Sequence, residues 1–303
     1  VYNHFNNKTN HKNKGKEKSM STNVYQMVTD RIINELEKGQ IPWKKPWSGV
    51  NTGAFNRISK KPYSLLNQMI LGKSGEWATF KQWADLGGKI RKGEKSSIIV
   101  FWKILESEEK DESGETVKKS IPLLKCINVF HISQVDGVEP LKTECLTELE
   151  PIEAAEKVKA NYQTRENIRI LEVVGNDAFY SPSWDYIQVP SKKQYIDISE
   201  YYSTLFHEMT HSTGHKTRLD RLSTSAGIAA FGSENYSKEE LIAEIGSACI
   251  LNTLGIETPN SFKNSAAYIQ NWLQVLKNDN HFIISAASKA EKAVQYIMRA
   301  QEA

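Results

Sequence analysis

The clearest chemistry in the sequence lies in five residues, His207-Glu208-Met209-Thr210-His211, the pattern HExxH. On a helix, residues i and i+4 share a face, so two neutral imidazoles on successive turns can reach one Zn²⁺ ion. Glu208, one residue along, can take a proton from a water at the remaining coordination position. A catalytic zinc needs a third protein ligand, and the rest of the chain has to supply it.

Two sources could supply it. The metzincin spacing would put a third histidine where the chain has Thr217, and His215 lies past Gly214, which should end the helix, so this route is excluded. The other is a glutamate from a following helix, as in gluzincins. Segment 237–244 offers Glu239, Glu240 and Glu244. Glu240 and Glu244 share a face, and the favoured assignment makes Glu240 the ligand and Glu244 the acid that orients a histidine. The swap, and then Glu239, are the remaining options. Ser237-x-x-Glu240 also reads as a helix-capping box. Glu244 is harder to explain away, because it sits among Ile242, Ala243, Ile245 and Ala248, where an unpaired carboxylate is costly. The oxyanion-stabilising group stays open among Tyr180, Tyr236, His215 and His281. A strand within 177–189 is where an extended substrate would lie.

The elements that must hold these groups follow from periodicity. Helices are expected at 24–38, 64–72, 79–86, 152–161, 199–212 and 237–254, and through the last forty residues with a break near 278–281. Strands are expected at 96–105, 122–131, 168–174 and 178–189. The charged run 106–119 reads as a solvated hairpin loop. Residues 1–22 read as a disordered basic tail and 138–151 as a linker. These divide the 303 residues into a domain at 23–137 and another at 152–303, in keeping with roughly 100–200 residues per domain.

Composition narrows the class. Apolar residues make up 39% and charged residues 25%, which is enough for packed cores. The longest apolar runs, such as Ile98-Ile99-Val100-Phe101-Trp102, fall far short of the roughly 20 residues that span a bilayer, so no membrane partner is expected. The Asn- and Lys-rich start has no apolar stretch of a secretion signal. Three dispersed cysteines (Cys126, Cys145, Cys249) read as reduced thiols of a cytoplasmic protein.

Charge is split: residues 41–103 carry twelve basic and three acidic groups, whereas residues 104–303 are acidic overall. The basic part also holds many aromatic rings, and cations interleaved with rings suit single-stranded nucleic acid. Candidate contacts are Trp43, Lys44, Lys45 and Trp47; Asn56, Arg57, Lys60, Lys61 and Tyr63; and Lys89, Arg91, Lys92 and Lys95. Trp77, Trp83, Phe101 and Trp102, in regular segments, read as packing residues. No zinc-finger, helix-turn-helix or RNP motif accompanies them, so base-specific readout is not indicated.

Together these stretches resemble the ArdC-type antirestriction proteins. The resemblance is carried by Ile41-Pro42-Trp43 through Pro46-Trp47, by Tyr63 with Leu66-Asn67, and by Trp77-Ala78-Thr79-Phe80-Lys81-Gln82. It continues in Gly87 through Glu94, in Val129-Phe130 with Gln134, in the HExxH helix through Gly214, and in Glu239 through Glu244. It covers about residues 24–255. It implies an α+β protein of two domains: a small α/β single-stranded-DNA-binding domain, then a zincin-like metallopeptidase domain with one Zn²⁺ ion. Such proteins travel on mobile elements, including conjugative plasmids, and protect incoming DNA from host restriction. The implied partners are single-stranded DNA and an unidentified protein substrate tied to restriction. The alternatives are a DNA-occluding protein with a structural zinc domain, and a metallopeptidase unrelated to DNA.

Overall fold

The structure is a computed structural model and describes residues 10–43, 53–110, 116–141, 151–222, 234–256 and 265–299. The chain enters as α1 (Asn10–Glu37). Val28, Ile32 and Leu36 fall one turn apart and are all buried. Residues 10–22, expected as part of a disordered tail, belong to this helix. Once a packed nucleus exists, each added residue gains a backbone hydrogen bond without a new nucleation cost.

The first half continues with β1 (Ala54–Asn56), α2 (Leu65–Leu71), β2 (Gly75–Ala78) and α3 (Phe80–Asp85). It closes with β3 (Lys89–Ile90), β4 (Ser97–Lys110), β5 (Thr116–His131) and β6 (Val135–Asp136). Four strands form a sheet in the order β1-β2-β5-β4, and β3 pairs with β6. The β4–β5 ladder runs from Ser97↔Val129 to Lys110↔Thr116, so most of the expected loop 106–119 is strand. The register sets Glu108 opposite Lys118.

Both edges of the sheet are blunted by two adjacent residues of α2. Asn67 Nδ2 donates to the Val100 carbonyl and Asn67 Oδ1 accepts the Val100 N–H, each at 2.8 Å, on edge strand β4. Gln68 does the same on edge strand β1, accepting the Ala54 N–H at 2.6 Å and donating to the Ala54 carbonyl at 2.8 Å. Two buried amides thus stand in for missing strand neighbours.

The second half runs α4 (Pro151–Glu166), β7 (Arg169–Val173), β8 (Phe179–Ser181), β9 (Tyr186–Pro190), α5 (Ile198–Ser212), α6 (Glu234–Leu254), α7 (Ser265–Asn278) and α8 (Phe282–Met298). Its sheet has the order β7-β9-β8, with β9 parallel to β7 and antiparallel to β8. The strand expected across 178–189 is therefore a hairpin, turned at Asp185 with φ 47°. This makes β8 an edge.

One core lies between α4, this sheet, α5 and α6, around Tyr162, Ile187, Tyr201, Phe206 and Met209. The larger core crosses the expected domain boundary. It joins Val28, Ile32 and Leu36 of α1 and Leu124 of β5 to Ile245 of α6, Trp272 of α7 and Ile283 of α8. The start of the expected linker is also tied down, since the Leu141 N–H donates to Glu76 Oε1 at 2.7 Å. Among the described residues, no helix is long and apolar enough to cross a membrane.

Candidate metal centre

Helix α5 is built to carry a site on one face. Asp197 caps its start by accepting the Ser199 N–H at 2.9 Å. Tyr201, Tyr202, Leu205, Phe206 and Met209 pack inward, which turns His207 and His211 toward α6. The two helices approach closely where Gly246 meets Thr210. A Cβ at Gly246 would stand 2.7 Å from Thr210 Cγ2, so only glycine fits there without displacement. Because α6 begins at Glu234, Ser237 is inside the helix and does not cap it. The capping-box explanation of Glu240 therefore fails.

Three donor groups converge across the crossing. His207 Nε2 lies 3.1 Å from His211 Nε2 and 3.5 Å from Glu240 Oε2, and His211 Nε2 lies 3.3 Å from Glu240 Oε1. Tetrahedral bonds of about 2.0–2.1 Å to one ion would hold their donors about 3.3 Å apart. The residues present therefore fit a metal ion, and His207, His211 and Glu240 form the one group of three among the described residues that could hold it.

The outer ring nitrogens face the other two acids. His207 Nδ1 is 3.8 Å from Glu244 Oε1, and His211 Nδ1 is 3.5 Å from Glu239 Oε1. Glu239, ranked last from sequence, so stands behind His211 as Glu244 stands behind His207. Arg221 anchors Glu239: its Nη2 donates to Glu239 Oε1 at 2.8 Å and to the Thr210 carbonyl at 2.9 Å. Its Nη1 donates to Thr213 Oγ1 at 2.7 Å. Nothing local in the sequence marks Arg221, since its partners are brought to it by the fold.

Electrostatics makes this cluster a cation trap. Burial alone would lower the pKa of His211, but Glu239 and Glu240 outweigh it and push the ring up to about 10. His207 is raised in the same contest, chiefly by Glu240. Burial opposes ionisation of Glu240, yet the two imidazoles hold its carboxyl well below the usual carboxylate range. Glu208 is buried next to His207, and its charge acts on both rings.

The oxyanion candidates fare less well. The Tyr180 hydroxyl donates to Asp185 Oδ1 at 2.8 Å, His281 stacks on Tyr25 at 3.7 Å, and His215 Nδ1 pairs with Thr217 Oγ1 at 2.8 Å. The side chain of Tyr236 lies outside the described residues. A tyrosine that the sequence reading passed over, Tyr195, hydrogen-bonds Thr204 and feels the charge of Glu208.

The expected DNA contacts divide sharply. Trp43 is fully buried, 0% exposed, with its ring edge-on to Trp272 at 5.2 Å, and is a core residue that cannot stack on a base. Lys44, Lys45 and Trp47 lie outside the described residues. Asn56 holds a turn by accepting the Ile58 and Ser59 N–H groups. Arg57 is paired with buried Glu76, and Arg91 with Glu94 and Asp136. Tyr63 is half-buried and accepts from Asn56. Lys60, Lys61, Lys89, Lys92 and Lys95 are exposed.

Trp77 and Trp83 are buried as expected, but Phe101 and Trp102 are not, at 38% and 50% exposed. Successive strand residues point to opposite faces, so the two rings are exposed on different faces of β4. The register puts Phe101 opposite Lys125, with Lys103 and Ile127 on the same face, and all four are exposed.

Each half of the chain matches a known family. Residues 22–130 match the model of the N-terminal domain of the anti-restriction factor ArdC, and residues 154–289 that of a zincin-like metallopeptidase. The chain is 34% identical over 297 residues to a DNA primase TraC of Escherichia coli, covering 90% of this chain and 20% of that protein. It thus spans about a fifth of the length of that relative, and 27% of a second TraC that is 35% identical. An uncharacterized protein of Sinorhizobium fredii is 32% identical, with 93% of each chain covered. Among solved structures, the metal-free antirestriction ArdC protein from plasmid R388 is 35% identical with a TM-score of 0.70, covering 90% of this chain and 96% of that one. The Mn(II)-bound structure of that protein gives 34% and 0.69.

Proposed function

This chain belongs to the ArdC family of antirestriction proteins, and from that premise we propose that it shields incoming DNA of a mobile element by pairing single-strand binding with metal-dependent cleavage of a protein. The observation that carries the reading is the convergence of His207, His211 and Glu240 at ligand spacing with Glu208 buried beside them. A ligand set without catalytic purpose needs no such base.

His207, His211 and Glu240 would hold one divalent ion, Zn²⁺ by donor chemistry; the R388 relative accepts Mn(II), so supply decides the occupant. When bound, the ion supplies Lewis acidity, lowering the pKa of water and polarising a carbonyl. Glu244 and Glu239 fix the two rings through their outer nitrogens, and Arg221 fixes Glu239. Glu208 takes the proton of the attacking water and delivers it to the leaving amine, a role worth about 10²–10⁴ in rate. Strand β8, which has no second strand neighbour among the described residues, offers an edge along which an extended peptide can lie.

The other half supplies the DNA track. Exposed Lys60, Lys61, Lys89, Lys92 and Lys95 suit phosphates, and the Phe101–Lys103–Lys125–Ile127 face suits unpaired bases. Binding of random single strands should weaken steeply with salt.

The test is establishment of unmodified DNA in a restricting host, wild type against Glu208→Gln, with metal content and strand binding measured in parallel. Loss of protection with both retained supports cleavage. Protection that survives assigns the function to DNA binding alone.

A further inference from the structure

Between the two halves lies a cavity of about 310 Å³, away from the metal ligands. Pro62 and Tyr63 wall it from the N-terminal side, and Cys249 and Thr253 of α6 with Glu291 and Val294 of α8 from the other. At the lower end of the roughly 300–1,000 Å³ range of ligand pockets, it suits one flat ring system and no folded segment. Its wall is mostly apolar by area, with Gln68, Asn252, Thr253 and Gln295 as neutral polar groups and Glu291 as the one charged group. One Glu291 oxygen accepts the Leu65 N–H at 3.3 Å, and no described cation pairs with the carboxylate. Burial raises its pKa accordingly. A half-buried carboxylate with acceptor capacity to spare calls for N–H donors. Lys60 and Lys61, both exposed, directly precede Pro62 in the chain.

The geometry points to a nucleobase pocket: one base of a bound single strand enters the seam, with its ring beside Tyr63 and its N–H edge on Glu291. This rests on the single-strand reading above and refines it, since coating alone would read no base. Guanine, with N–H donors on adjacent positions, matches a carboxylate best. Thymine, with its one N–H between two carbonyls, matches it worst. The occupied pocket would also touch α6, the helix that carries Glu240.

The experiment is fluorescence anisotropy on the full chain with a labelled oligothymidine and the same strand bearing one central dG, at equal salt. The dG strand should bind about five- to a hundredfold more tightly. Glu291→Gln should remove most of that difference and leave the oligothymidine affinity unchanged. Thr253→Leu, which narrows the cavity and keeps Glu291, should do the same. Equal binding of both strands by wild type overturns the pocket and leaves the single-strand reading standing. A dG preference that survives both variants also overturns it, because the base is then read elsewhere. No binding of either strand at low salt overturns the single-strand reading and the pocket with it.

Discussion

Two imidazoles and a carboxylate about 3.3 Å apart bind either protons or a metal ion, and the surrounding acids favour whichever cation arrives. In the metal-free protein His211 keeps its proton up to about pH 10, against 6.5 for an unperturbed ring. That raised value contributes stability in full below pH 6.5, and the contribution is lost as pH rises through about 10. A metal ion requires the neutral ring, so loading removes this dependence. The melting temperature of the metal-free protein should fall over that interval relative to the loaded protein; parallel curves would contradict the assignment. The orienting acids have their own signature. Glu239→Gln should weaken metal affinity about 10–100-fold in competition with a chelator, whereas Glu240→Ala should abolish tight binding. Equal losses would mean that Glu239 is itself a ligand.

Helices α5 and α6 deliver these groups because the α6 backbone at Gly246 sits directly against the Thr210 side chain. Gly246→Ala would drive a methyl group into Thr210, and overpacking of this kind costs about 1–3 kcal/mol. Denaturant unfolding should show that loss together with weaker metal binding, since the crossing also sets the distance from Glu240 to the rings. Thr210→Ala in the same background should recover part of both; recovery of neither would place the strain elsewhere. A similar economy governs α2, whose Asn67 and Gln68 each satisfy the open edge of a different strand. In the family resemblance Asn67 figured only as a motif letter. Strands β4 and β5 show the limit of pattern reading. Val100 and Leu124 pack inward, but among the described residues no element fully covers the alternate face at Phe101 and Ile127.

Across the whole molecule, the shared core turns two sequence domains into one folding unit. Ile32 of α1 packs in the same cluster as Ile245, Trp272 and Ile283 of the other half. Ile32→Ala should cost about 2–5 kcal/mol. Calorimetry of the full chain should give one transition, shifted as a whole by that substitution, with calorimetric and van't Hoff enthalpies equal. Two transitions, of which Ile32→Ala moves one, would show that the halves fold separately.

The sequence by itself determined what depends on local periodicity and spacing. His207 and His211 share a face because four residues nearly complete a helical turn, and the helices at 64–72, 79–86, 199–212 and 237–254 lie within a few residues of those observed. It also nominated Glu240 and Glu244, which share a helical face four residues apart, and Glu244 in particular because a carboxylate among apolar neighbours needs a partner. Only the tertiary structure decided what depends on contacts between distant segments. Glu239 faces the outer nitrogen of His211 and is held by Arg221, which reaches it from the segment after α5. Trp43, flanked by proline and lysines in a segment that reads as surface, is buried because Trp272 meets it. Arg57 and Arg91 were spent on acids of their own domain. A side chain's type fixes what it can do, but burial and pairing are properties of its neighbours, and the fold chooses those.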